Sequence, residues 1–159
     1  MFDRKLLSTY LNDHLAGSVA GSQRMRRLAE AERTAADGPA LMAVAQQIEE
    51  ERTTLERVLA RADIERNPVK TALGWLGEKA GLLKLNGRWL RRSPLTSLVE
   101  LEAMRMAVTA KLSLWTTLGS TSLNDGFDFD GLAAQSRDQL DVLEAAHRRA
   151  GAVLEPARH

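Results

Sequence analysis

Glu144 and His147 stand three apart in a stretch whose apolar and small residues recur at helical spacing, from Leu132, Ala133 and Ser136 through Leu140 and Leu143 to Ala150 and Leu154. On a helix, that spacing sets a carboxylate and an imidazole on adjoining turns, both able to reach a bundle interior. There they can hold a metal ion or join a hydrogen-bonded network. Other ionisable residues fall on inward stripes elsewhere: His14 in the first stretch, Glu51 and Arg52 in the second, Glu102 and Arg105 in the third. Two of the three histidines land on such stripes. Other chemistries lack their residues. With no cysteine there is no disulfide, thiolate metal site, Fe–S cluster or cysteine nucleophile. Gly74, Gly77 and Gly81 lie in a helical pattern, without the strand before and lysine after that a phosphate loop needs. The loop from Asp125 to Asp130 has three carboxylates but no glutamate to complete a calcium-binding loop, so Asp128 or Asp130 reads as a helix cap.

The elements that position these residues are helices. The 159 residues suit one domain spanning 1–159, with 4% aromatics and four prolines. Apolar spacing and breakers place helices at about 3–36, 39–64, 69–83, 95–118 and 130–154. Asp37-Gly38-Pro39 is a turn and helix start, Asn67-Pro68 ends the second helix, and Ser93-Pro94 opens the fourth. Residues 16–22 of the first helix, Ala-Gly-Ser-Val-Ala-Gly-Ser, are nearly all small. Each interior glycine costs about 1 kcal/mol against alanine, so a close approach is expected there, by a neighbouring helix, a dimer partner or a ligand. The connection from Glu65 to Pro94 is far too long for a tight turn. It carries its own stripe of Val69, Ala72, Leu73, Leu76, Ala80 and Leu83, and a helix of about 15 residues rises about 22 Å, most of a bundle's length. Two helical hairpins joined by one long crossover are therefore expected.

With that route, the level of His14 on the first helix faces Glu51 or Arg52 on the second. The third long helix brings Glu102 and Arg105 near it, and the last brings Glu144 and His147 about a turn higher. This arrangement resembles the ferritin-like superfamily, an all-α four-helix bundle with a long crossover, here containing a fifth, shorter helix. Its di-metal members take one carboxylate from each of two helices and a Glu-x-x-His from each of the other two. Glu144-x-x-His147 matches one motif. Glu51-x-x-Thr54 has the spacing of the second, with threonine where the histidine would stand. His14 replaces the expected glutamate on the first helix, and Arg105 points inward more directly than Glu100 or Glu102. The stretches Tyr10 to Gly17, Leu83 to Arg88 and Ser93 to Leu95 are also similar to uncharacterised bacterial helical proteins.

The resemblance implies a metal site of His14, Glu51, Glu102, Glu144 and His147, taking Fe, Mn or Zn. The charges argue for a different interior. Two divalent ions need several carboxylates, and only Glu51 and Glu144 are well placed, while the Arg105 guanidinium repels metals. The expectation is a non-catalytic bundle without intact di-iron chemistry and with no cofactor. Its interior would be a buried polar network of His14, Glu51, Arg105, Glu144 and His147, with Arg105 paired to Glu51 or Glu144. A second expectation concerns residues 66–92, which hold seven basic residues and one acid, so the rest of a chain of net charge +1 carries −5. Lys84, Arg88, Trp89, Arg91 and Arg92 suit an anionic membrane surface or an acidic protein partner. With the whole chain nearly neutral, no nucleic-acid partner is expected. A homodimer is open through the small-residue face or the crossover. The first residues lead into an amphipathic stretch and not an apolar signal core, which fits a cytoplasmic protein.

Overall fold

The computed structural model describes residues 3–67 and 93–155. Among them are four α-helices and no strand: α1 (Arg4–Ala31), α2 (Gly38–Arg61), α3 (Pro94–Gly119) and α4 (Phe129–Gly151). Short 3-10 turns occupy Ser122–Asn124 and Ala152–Leu154. The helix expected at 69–83 lies outside the described residues.

Local chemistry sets the ends. The Asp3 carboxylate accepts from the backbone N–H groups of Lys5 and Leu6, capping α1. This helix stops at Ala31, five residues before the expected end, because the chain folds back tightly on itself. A Cβ on Gly38 would lie 2.5 Å from the Arg33 carbonyl oxygen and 2.7 Å from that of Glu32, so only glycine closes this turn. The second helix ends at Arg61, before the proline that was expected to stop it. Asp63 takes a left-handed conformation (φ 53°), Ile64 N–H bonds the Leu59 carbonyl at 3.0 Å, and Asp63 N–H bonds Ala60 at 3.1 Å. Those two bonds make a Schellman stop, and the Ile64 side chain is buried behind it. Asp128 caps α4 by accepting from Gly131 N–H at 2.8 Å.

The helix directions follow from the contacts. Ser97, in the first turn of α3, donates to Glu32 just beyond α1. Arg149, near the end of α4, binds Glu32 at 2.8 Å and Asp37, which precedes α2, at 2.9 Å. One pole thus gathers the end of α1, the start of α2, the start of α3 and the end of α4. Helices α1 and α4 run one way, α2 and α3 the other. Contacts join α1 to α2 and α3, and α4 to α2 and α3, so neighbours around the bundle are antiparallel. Packing is dense within the hairpins α1–α2 and α3–α4 and thinner between them. At the opposite pole, Trp115 stacks on Phe129 (centroids 6.0 Å apart), Phe127 stacks on Phe129, and Arg57 lies over Phe127.

The core has two parts. One, towards the ionic pole, holds Met25, Leu28, Leu41, Ile48, Leu101, Met104, Val108 and Leu143. The other, towards the aromatic pole, holds Leu11, Leu15, Leu55, Leu59, Leu114, Trp115, Leu118 and Phe129. Beyond α2 the chain turns onto α1: Asn12 Nδ2 donates to the Glu65 carbonyl at 3.2 Å, and Asn67 N–H donates to Asn12 Oδ1 at 2.8 Å. Asn12 is itself buried, so removing its amide leaves backbone groups without partners. Asn12→Ala is expected to lower the unfolding free energy by about 1–2 kcal/mol in urea titrations, with the slope unchanged.

Candidate functional site

The boundary between the two cores is polar. Glu51, on the inner stripe of α2, is 2% exposed, and Gln139, on that of α4, is 1% exposed. Lys111 reaches them from α3. Its ammonium donates to Glu51 Oε2 and to Gln139 Oε1. The Gln139 amide nitrogen donates to Glu51 Oε1 at 2.9 Å and to Gln47 Oε1 at 3.0 Å. Lysine, glutamate and glutamine therefore close a ring across the bundle centre, joining α2 to both helices of the other hairpin. Below it, the buried Ser136 hydroxyl satisfies itself on the Leu132 carbonyl at 2.9 Å. Burial pushes the Glu51 carboxyl above the usual carboxylate range, against the opposing pull of Lys111. Burial likewise pulls the Lys111 ammonium below its ordinary value, against the pull of Glu51.

Beside this ring a cavity of about 240 Å³ opens between α1 and α3 and reaches inward to α2. Ile48, Leu55, Met104, Val108 and Leu114 form its walls, with Glu51 and Lys111 among its lining. Gly17 and Gly21 border it, and a Cβ at either would meet nothing within 4 Å among the described residues. Ser22, at the end of the same small-residue stretch, is buried, but the two glycine positions have no described atom against them. The missing side chains leave space. His14 also lines the cavity, with its ring against the edge of Tyr10, centroids 4.7 Å apart. Burial lowers the His14 pKa from 6.5 despite the adjacent Asp13, so the ring is neutral at neutral pH. Arg52, on the cavity rim, is held by Glu49 and Glu56 along its own helix.

The residues expected at one interior centre fall at three places. Glu51 is at the ring and, with His14, lines the cavity. His147 and Glu102 meet at 3.2 Å between α4 and α3, at the bundle surface. Glu144 binds Arg148 at 2.7 Å and lies 3.7 Å from Arg105. That second pair was one of the two expected for Arg105, but the side chains are 47% and 37% exposed, so it is not buried. Thr54, where a second metal-binding histidine would stand, donates to its own helix at Glu50. Among the described residues no group of three or more histidines and acids is placed to hold a metal ion. Lys84, Arg88, Trp89, Arg91 and Arg92 lie outside the described residues. No described helix is long and apolar enough to cross a membrane.

Sequence reasoning missed Lys111 and Gln139, although the signal was present. Met104, Val108, Lys111 and Trp115 follow one helical stripe, as do Ser136, Gln139, Leu143 and Ala146. The charged residue facing Glu51 sits about two turns further along α3 than Arg105. Compared with protein-family models, curated proteins and solved structures, the chain matches none.

Removing Lys111 leaves a buried carboxylate without its cation. Lys111→Met is expected to cost about 3–5 kcal/mol near neutral pH, and adding Glu51→Leu to that variant restores much of it. The deficit of the single variant shrinks on acidification, because a buried acid with a raised pKa takes up its proton in the folded state first. Denaturant midpoints of the wild type and both variants across pH check all three statements. His14 has the opposite sign. Its stabilising contribution is complete above 6.5 and is lost as pH falls from there through the lowered folded value, since the unfolded chain binds the proton first. His14→Phe should flatten that part of the stability profile.

Proposed function

We propose that this protein is a non-catalytic bundle of ferritin-like topology that acts by binding a small molecule in the cavity beside its central ring. The observation that carries the reading is the ring itself. Its centre holds an ammonium group, and the one deeply buried carboxylate among the described residues is already committed to that ammonium and to an amide. A divalent ion would have to displace Lys111 to reach Glu51. Lys111 supplies internally the positive charge that metal ions supply in the di-metal members of that superfamily. The direction pattern supports this reading: α2 and α3 run parallel, with the start of each at the same pole. Three of the charged residues lining the cavity are committed to partners: Lys111 and Glu51 neutralise each other, and Arg52 is paired with Glu49 and Glu56.

Thermal unfolding in the presence of candidate ligands tests this. Fe, Mn and Zn salts are expected to leave the melting temperature unchanged and to be retained well below one ion per chain. Small apolar molecules are expected to raise it, stabilising the fold by the mass-action amount of about 2.7 kcal/mol at a hundredfold excess over Kd. That stabilisation should vanish when Gly17 and Gly21 are both replaced by leucine, which fills the cavity from its border. Near-stoichiometric metal retained after dialysis would overturn the reading.

A further inference from the structure

The cavity lining is particular about charge. Glu51 and Lys111 offset one another, and Arg52 is held by Glu49 and Glu56. The remaining acid of the lining, Asp13, is exposed, so water and salt screen it. An ion of either sign entering here loses water and finds no buried counter-charge free to receive it. The walls are aliphatic, which favours an apolar body. An apolar cavity of about 150 Å³ takes up benzene, so one of about 240 Å³ fits a single ring with a short substituent. One ionisable residue of the lining is uncommitted. His14 is half-buried, its ring rests on the edge of Tyr10, and among the described residues no group hydrogen-bonds either ring nitrogen. A neutral imidazole tolerates that, whereas an imidazolium has two N–H donors and a charge that must rely on water. Charged groups line the cavity from all three helices around it: Asp13 from the histidine's own α1, Glu51 and Arg52 from α2, and Lys111 from α3. On the segment that turns onto α1 beside Asn12, Glu65 and Arg66 are exposed, and Arg66 pairs with Glu56. Asp13 favours the protonated ring, and burial outweighs it.

We propose that the cavity holds an uncharged, apolar molecule of about ten non-hydrogen atoms, and that ligand and proton exclude each other at His14, so the molecule is held at neutral pH and released on acidification. This rests on the reading of the cavity as the binding site and adds the charge class of its ligand and a control by pH. A molecule filling the space takes water from the histidine that lines it, and a dehydrated imidazolium is costlier than a dehydrated imidazole. The two effects are one by linkage: a ligand that disfavours the proton is disfavoured by it to the same degree. Acid therefore weakens binding below the range in which His14 is neutral, by at most about tenfold per pH unit, the limit for one proton.

Propylbenzene, phenylacetate and benzylammonium are suitable probes, alike in size and differing in charge. Titrated into the full chain at about pH 7.5, propylbenzene should bind at least about tenfold more tightly than either ion. Its affinity should be constant above about pH 7 and fall towards about pH 5, with near-ultraviolet circular dichroism confirming a folded chain at each point. Of the three histidine ring signals in a proton–carbon spectrum, the one absent from His14→Gln should titrate at lower pH with propylbenzene bound than without it. His14→Gln should bind propylbenzene with no dependence on pH over that range. Should that variant not fold, the ring titration of the wild type decides. Persistence of the pH dependence in His14→Gln would assign it to another group, such as Glu51, and overturn the role of His14. Flat wild-type affinity across the range overturns the control by pH while leaving a cavity for apolar molecules. Either ion binding as tightly as propylbenzene overturns the uncharged class. Binding of no probe overturns the cavity reading itself.

Discussion

The bundle depends on one buried cation. Lys111 lies where two hydrophobic cores meet, and its three donors reach a carboxylate on α2 and an amide on α4. An ion pair in such a place adds little net stability, because dehydrating both charges offsets most of their attraction. What it does is select. Any rotation of α2 by a quarter turn, or a slide of α3 by one turn, leaves Glu51 or Lys111 buried against hydrocarbon, which costs several kcal/mol. The aliphatic layers on either side would tolerate such shifts far better, since Leu, Val and Met repack readily. The ring thus fixes how one hairpin sits on the other, and the cores supply the cohesion.

The cavity follows from the same constraint. With α1 and α2 closely packed, and α3 and α4 likewise, the two hairpins are held at their interface by the ring and by the Glu32–Arg149–Asp37 cluster at one pole. Between those supports Gly17, Ser18 and Gly21 of α1 line the space shared with α3. Small residues on a helix face normally draw a neighbour in. Here the ring sets the spacing, and the missing side chains become open volume beside His14 and Trp115.

Much of this was legible in the sequence. Helical periodicity gave the four described helices, with ends displaced by a few residues where Gly38 and Asp63 impose turns that spacing alone does not reveal. The shared level of His14 and Glu51 was legible because α1 and α2 are joined by a short turn, which fixes their relative register. The levels of α3 and α4 were not. Their position against the first hairpin is set by contacts distant in sequence, such as Ser97 with Glu32, and a shift of two turns exchanges Arg105 for Lys111 as the partner of Glu51. Glu144 and His147 have helix-neighbour spacing, but each finds a partner at the surface, and the buried polar residues of α4 are the uncharged Ser136 and Gln139. A charge in a stripe attracts attention. A glutamine in the same stripe does not, although burial makes it as constrained.

Sequence separation gives the ring a place in time. Glu51 and Lys111 are 60 residues apart, and Glu51 and Gln139 are 88 apart, whereas each hairpin closes across a short turn. Local hairpins form early, and bringing distant halves together waits on loop-closure entropy. Until that docking both ionised groups stay hydrated, so water is stripped from them only when the correct counterpart arrives. Premature or misaligned docking would meet the dehydration penalty without the reward. Docking in any other register leaves Lys111 and Glu51 dehydrated without each other, so the pair penalises halves that meet out of alignment.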